Sequence, residues 1–515
     1  MKKLLALGLS TLLMVSLLAG CGAKDTGDTP TDENSKGDST STEDTANDDT
    51  DAVVDADGWV SIGSPDEPVP VSIVIKDVMP DEEDVISMKE VVEEKMASHG
   101  QYIDLQFMEP PAGSYATALP LAMRSGETDA DILYFQGGDQ SLMEEGLLQD
   151  LTEYIEKSTH VKHIMEPASV ERMKNYPYLL WLAPARTAVP LMRKDWADQL
   201  DSYKALIEDP TIDNYKALFQ ELKDKGLAEY ALTADGSTDR WDSVFNQAFG
   251  VTSTVVKDGD SYVFSKATDA EKDKLAFYAE LYKDGFIDPD YLTNSWDIAE
   301  QKFYEGKVGL YVGNIGATAK IYNDKMVSAN GEEAELVVLP PAKGVAQAYA
   351  AVDVTKESRG FAINADSENK DAAWAFLEFM ASPEGRMIDK LGIEGVHYNI
   401  ENDKIVFTDK FPEWWSRIWE TTYNFEPTPS LAQPLYPQAA QDSLEMAKEY
   451  YVEDVNILVP EELIPIQDGL ISLYLEYATD VIRGNDSVDN FDQFVEKWND
   501  SGAGDFTPYF EEELN

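Results

Sequence analysis

The sequence predicts an α/β protein of at least two lobes with mostly parallel sheets. Short apolar runs of strand length alternate with amphipathic helical stretches from Val69 onward. Clear caps and turn signals separate these runs. At 515 residues the chain is longer than one hydrophobic core ordinarily serves. It shows no internal repeat.

In order along the chain, Lys2 and Lys3 precede an apolar stretch, Leu4 to Leu18, which ends in Leu18-Ala19-Gly20-Cys21. A basic start, a short apolar core and small residues before the cut describe an export signal over residues 1–20. The core is too short to span a bilayer comfortably. A cysteine directly after small residues resembles the bacterial lipobox, so Cys21 is expected to carry acyl chains and anchor the mature protein. Residues 21–68 read as a lipidated, acidic tether. From Gly22 to about Ala56 they hold too little apolar surface to offset ordering entropy.

Folded structure is expected from about Val69. Pro70–Ile75 reads as a strand, Glu82–Ser98 as a helix, and Tyr102–Met108 as a second strand. Asp131–Phe135 is a buried strand running into Gln136-Gly-Gly-Asp139 and a helix. Thr211 caps a helix with the apolar face Ile212, Tyr215, Leu218, Phe219 and Leu222, and Gly226 lies past its end. Thr254–Lys257 and Tyr262–Ser265 flank Asp258-Gly259, a hairpin signal. Thr268-Asp-Ala-Glu271 reads as a capping box for a helix stopped at Gly285. Strands recur at Val308–Val312, Glu335–Leu339 and Gly360–Ile363. Asp371–Met380 reads as an amphipathic helix with Trp374 in the core. In the next helix Ser382 is the cap, Pro383 opens the first turn and Glu384 faces the positive dipole end.

Composition excludes several functions. A formal charge of −56 leaves no basic surface for phosphate backbones, so nucleic-acid binding is not expected. The lone cysteine, assigned to the anchor, leaves no disulfide in the body. Apart from the signal, no apolar run is long enough to cross a membrane.

Motifs for chemistry are mostly missing. There is no Gly-x-Ser-x-Gly elbow, His-Glu-x-x-His helix or phosphate-cradling loop. His160 and His163 are spaced to share a metal but read as a solvent-facing pair, and no Asp-x-Asp-x-Asp-Gly loop is present to hold calcium. No metal or cofactor is expected, nor an ATP site, so any transport role draws energy from a partner. Aromatic residues are more informative, because flat sugar faces pack on indole rings. Trp414 and Trp415 adjoin, Trp419 follows, and Trp181, Trp241 and Trp296 stand beside expected loops. For any one of them, ordinary packing is the competing reading.

Several phrases together resemble a known family. Arg193-Lys-Asp-Trp196, Leu281-Tyr-Lys-Asp-Gly-Phe-Ile-Asp-Pro289 and Phe303-Tyr-Glu-Gly-Lys-Val-Gly309 are three of them. The most specific is Ser382-Pro-Glu-Gly385 followed by Leu391-Gly-Ile-Glu-Gly-Val-His-Tyr398, and Ile482-Arg-Gly484 also fits. The pattern is similar to that of the extracellular solute-binding lipoproteins of bacterial carbohydrate ABC importers, family 1 type, in the long Gram-positive branch. The resemblance implies a two-lobed type II periplasmic-binding-protein fold, with a hinge between lobes that close on a ligand. Lobe 1 would be 69–184 plus 350–405, and lobe 2 185–349 plus 406–515. Crossings are expected near Ala183–Pro184, Ala342–Ala350 and Asn399–Ile405. Alginate-binding relatives carry a calcium loop where this chain has Lys223-Asp-Lys-Gly226, a departure that leaves the substrate open.

The implied function is non-catalytic capture of an oligosaccharide or similar polar solute by a monomer. Delivery would be to ABC permease subunits served by a separate ATPase, at the outer face of the membrane. A secreted glycosidase with two carboxylates is the rival from another class, and an adhesin or sensor subunit is a second. Expected ligand residues are Gln136, Arg186, Asp239, Arg240, Trp241, Asn314, His397, Tyr398 and Trp414. They sit after strands, where an α/β sheet presents its ligand edge, or near an expected crossing.

Overall fold

The computed structural model describes residues 58–165, 167–182, 187–352, 359–419, 425–457 and 459–514. The export signal, Cys21 and the tether through residue 57 lie outside them, as do Arg186 and the crossing expected at Ala183–Pro184.

Two four-stranded sheets organise the body. The strands are β1 (Val69–Val74), β2 (Ile103–Met108), β3 (Ile132–Gln136), β4 (Ala188–Arg193), β5 (Tyr230–Leu232), β6 (Val255–Asp258), β7 (Ser261–Phe264), β8 (Val308–Asn314), β9 (Leu336–Val338), β10 (Arg359–Ile363), β11 (Tyr398–Glu401) and β12 (Lys404–Phe407). The first sheet has the order β10-β3-β1-β2 and the second β5-β8-β4-β9. β1 runs parallel to β2 and β3, while β10 pairs antiparallel to β3. In the second sheet β5 and β8 are parallel, but β4 is antiparallel to both β8 and β9. Mostly parallel pairing therefore does not hold there. Each sheet has three strands running one way and one against them. The reversed strands, β4 and β10, both follow passage of the chain from the other sheet. They enter at the carboxyl edge, Ala188 opposite Asn314 and Arg359 opposite Gln136.

The first sheet buries Val71, Ile73, Leu105, Ile132 and Phe361 against the helix Lys370–Ala381. That helix is not amphipathic as expected: every residue from Ala372 to Ala381 is buried. It packs against β1 on one side and the helices Val161–Ile164 and Pro383–Leu391 on others, so no face beyond its exposed start at Asp371 meets water. Its one buried charge, Glu378, accepts from the Ser158 hydroxyl (2.8 Å) and the backbone N–H groups of Thr159 (2.6 Å), His160 (2.6 Å) and Val161 (3.1 Å). A buried carboxylate is tolerated where donors satisfy it in this way.

Packing begins before Val69. Trp59 and Ile62 are buried, and Trp59 lies between His99 (4.7 Å) and His160 (4.8 Å). His160 is thus half-covered rather than half of a solvent-facing pair; His163 alone is exposed.

Local punctuation holds at Thr211, whose hydroxyl accepts from Asn214 N–H, and at Ser382, which caps Gly385 N–H with Pro383 behind it. The hairpin forms with Lys257 opposite Tyr262 as the flanking strands imply, and one further pair, Asp258 opposite Ser261, tightens the turn, where Gly259 has φ 64°. The capping box at Thr268 does not form. Glu271 turns inward to Lys274 (3.1 Å) and the Tyr474 hydroxyl, while Thr268 bonds the Ser265 carbonyl. The Thr268 N–H bonds the Ser265 carbonyl instead (3.1 Å), leaving the carboxylate to a buried cation.

This inward turn belongs to a charged network in the second core. Lys274 is fully buried and meets Asp242 (2.9 Å) and the Asn246 side-chain oxygen (2.6 Å). Tyr278 donates to Asp242 (2.9 Å), and Lys266 lies 3.5 Å from Asp242 and 3.8 Å from Glu271. Burial alone would raise Asp242, but Lys274, Lys266 and the Tyr278 hydroxyl override it and hold the carboxyl below its usual range. The network joins the helices Asp239–Phe249, Asp269–Lys283 and Ile464–Arg483.

Candidate ligand-binding edges

The carboxyl edge of the second sheet collects four expected residues. Asn314 ends β8, half-buried. Asp239, Arg240 and Trp241 open the helix after β5. Arg240 is held on every side: Asp235 takes Nε and Nη2, Nη1 donates to the Val312 carbonyl (2.7 Å), and Tyr311 lies 4.9 Å beneath. Burial would lower its pKa, but Asp235 and Tyr311 reverse the shift and keep the guanidinium charged. Asp239 is exposed.

Trp241 does not offer an open face as expected. It is 0 % exposed, donates its indole N–H to the Thr233 carbonyl (2.8 Å), and packs on Tyr278 (5.6 Å) and Tyr291 (4.8 Å). Tyr291 belongs to a loop tied to the same strand end. Asn294 donates to Thr233 Oγ1 (3.1 Å) and the Ala234 carbonyl (3.2 Å), and Gly236 N–H bonds the Tyr291 carbonyl (2.8 Å). Asp288 accepts from the Thr233 hydroxyl (2.8 Å) and Lys302 (2.8 Å).

At the first sheet, Gln136 ends β3 half-buried. Gly137 and Gly138 follow at φ 115° and 79°, and a side chain on Gly138 would meet the Ala116 carbonyl at 2.5 Å. The turn delivers Asp139, which sequence reasoning missed as a site residue. It is 3 % exposed, accepts from the Tyr176 hydroxyl (2.9 Å) through one oxygen, and among the described residues has no hydrogen-bond partner at Oδ1. Burial and the neighbouring Asp139 charge push the Tyr176 hydroxyl well up. Two glycines between a strand end and an acid are the signal that was available.

His397 and Trp414 lie beside the opening of the helix Glu83–Ser98 that follows β1, His397 at 3.7 Å from Asp84, but both are buried. Tyr398 is buried with Leu391 and Ile405. His397 is 2 % exposed, accepts Ile393 N–H at Nδ1 (3.0 Å), and packs on Trp414 (4.7 Å). Burial lowers its pKa despite Asp84 nearby. Trp414 donates its indole N–H to the Asp389 carbonyl (2.9 Å), and the Arg417 guanidinium stacks over it (4.8 Å). Asp389 organises this segment, accepting from the backbone N–H of Arg417 (2.8 Å), Ile418 (2.9 Å) and Trp419 (3.0 Å) and from the Ser416 hydroxyl. Trp414 and Trp419 are thereby buried in the fold, whereas Trp415 is 42 % exposed. Among the described residues no cluster of three or more His, Cys, Asp or Glu is placed to hold a metal, and no helix is long and apolar enough to cross a membrane.

This two-sheet architecture is that of a solute-binding protein, and comparison with known proteins gives the family. The family model described as bacterial extracellular solute-binding protein matches residues 80–387, and the chain belongs to that family. It is 24 % identical over 352 residues to the polygalacturonan/rhamnogalacturonan-binding protein YtcQ of Bacillus subtilis (strain 168), covering 62 % of this chain and 66 % of that one, just under two thirds. An extracellular solute-binding protein from Bifidobacterium longum subsp. infantis superposes with TM-score 0.64 at 14 % identity, over 87 % of this chain and 98 % of its own. The N-glycan transport solute binding protein (NgtS) of Streptococcus pneumoniae gives TM-score 0.61 at 13 % identity, over 85 % and 96 %. These structures share the two-lobed fold.

Proposed function

We propose that the protein captures an extracellular oligosaccharide between its two lobes and passes it, chemically unchanged, to the permease of an ABC importer. One observation carries the reading. Each sheet of this solute-binding family member presents polar side chains at its carboxyl edge, beside the passage of chain to the other sheet: Gln136 and Asp139 on one, Asp239, Arg240 and Asn314 on the other. That is where an open α/β sheet takes its ligand, and hinge closure would bring the edges together. The two sheets with their flanking helices are the lobes in this reading. A relative named for binding polygalacturonan and rhamnogalacturonan, and a structural neighbour named for N-glycan transport, support a saccharide. The Leu-Ala-Gly-Cys run supports a lipid anchor at Cys21. A separate ATPase completes the importer.

The test is a thermal-shift screen of the tether-free protein against an oligosaccharide panel, followed by chromatography of the recovered ligand. A raised melting temperature with intact ligand is expected. Hydrolysis products would favour a glycosidase.

A further inference from the structure

We infer that Trp296 is the ring on which the second lobe stacks its ligand, and that this ligand is an uncharged saccharide rather than a polyuronate. The inference rests on the saccharide reading above.

Eight of the ten tryptophans are buried in the body. Of the other two, Trp415 is 42 % exposed but lies 4.5 Å beneath the Arg417 guanidinium. Trp296 is 59 % exposed, and among the described residues no ring or cation stacks on it. An indole left this bare on a rigid support forgoes the burial that the other tryptophans obtain, which is the mark of a surface kept for contact.

Its position is set by the fold. Trp296 opens the helix Trp296–Tyr304, which packs on β8 and connects to it through the tight turn 305–307. The helix therefore runs back alongside β8 toward the end at Asn314, its first residue reaching about 12 Å along a strand of about 20 Å. From the other side, Asn294, two residues earlier, is fastened to Thr233 and Ala234 after β5. Tyr291 in the same loop rests on Trp241. Trp241 thus backs the loop from inside, and Trp296 is carried on its outer end. A tryptophan held this way loses little freedom on binding, and flat apolar sugar faces suit an indole.

Charge selects the class. The chain carries a net −56, and Asp235, Asp239 and Asp297 hold part of that charge in this region. The cations beside them are engaged: Arg240 by Asp235 and Val312, and Lys302 by Asp288 (2.8 Å) and Asp290 (3.2 Å). A polyuronate would bring further carboxylates into a field that already repels them, whereas hydroxyls can donate to it. In this the chain would depart from its relative named for binding polygalacturonan and rhamnogalacturonan.

The experiment is calorimetric titration of wild type, Trp296→Ala and Trp296→Phe. The probes are xylo-, cello-, malto- and galacto-oligosaccharides, and oligogalacturonides with and without methyl esterification. Wild type is expected to bind an uncharged member most tightly. Trp296→Ala should bind it about tenfold to hundredfold more weakly with unchanged melting of the free protein, and Trp296→Phe should recover part of the loss. Equal affinity in wild type and Trp296→Ala would overturn the platform. Tightest binding to the unesterified oligogalacturonide would overturn the class. If wild type bound none of the probes, the saccharide reading itself would fall, an outcome distinct from tight binding that ignores Trp296.

Discussion

Replacing Lys274 by Met should destabilise the second lobe by about 3 kcal/mol. The ammonium is fully buried between Asp242 (2.9 Å), Glu271 (3.1 Å) and Asn246 (2.6 Å). Methionine fills nearly the same volume, so the loss is electrostatic rather than a cavity. Removing one partner from a buried ion pair costs about 3–5 kcal/mol, because the other charge is left uncompensated. Here Lys266 stays within 3.5 Å of Asp242, and Tyr278 and Tyr474 still donate, which places the cost at the low end. Adding Glu271→Gln removes one stranded charge and should recover at least about 1 kcal/mol. The pH dependence has a definite sign. Asp242 is depressed in the fold, so its contribution is complete above its unfolded value of 3.8 and is lost as pH falls through the folded one. Burial alone would lower Lys266, but Glu271 and Asp242 raise it to about 12. Its contribution is complete below 10.5 and is lost as pH rises through about 12. Urea unfolding at pH 7, followed by circular dichroism, measures all three proteins. A loss under about 1 kcal/mol for Lys274→Met, or a double variant weaker than the single, would refute the reasoning.

Three further outcomes follow from the same kind of accounting. Asp389→Ala removes the acceptor for three backbone N–H groups at 417–419 and should cost about 3 kcal/mol, with a changed near-ultraviolet signal from Trp414 and Trp419; an unchanged melt would contradict it. Burial lowers His160 and His397, so their contribution is complete above the unfolded value of 6.5 and is lost as pH falls below it. Melting temperature should therefore drop between pH 7 and 5, and less steeply in His397→Gln. Cys21→Ser should abolish incorporation of labelled fatty acid while leaving the melt unchanged, and label retained on the serine variant would exclude the anchor.

Much of the fold was legible because it is encoded locally. The apolar runs at Val69–Val74 and Ile132–Gln136, and the caps at Thr211 and Ser382, depend on neighbours a few residues away. What was not legible depends on distant partners. Glu271 reads as a helix-cap acid until Tyr474, 203 residues later, supplies a buried hydroxyl. The directions of β4 and β10 follow from where the chain re-enters a sheet, which spacing does not encode. At the ligand edges the strand ends Gln136 and Asn314 were readable from pattern alone. The choice among tryptophans was not. Trp241 and Trp296 both stand beside strand-end loops in the sequence, and only packing against Tyr278 and Tyr291 sends the first inward.

Small-angle X-ray scattering of the tether-free protein, with and without a saccharide that raises its melting temperature, tests capture by lobe closure most directly. The account predicts a smaller radius of gyration at saturation, reversed when the ligand is dialysed away. An unchanged scattering curve at full occupancy would contradict it.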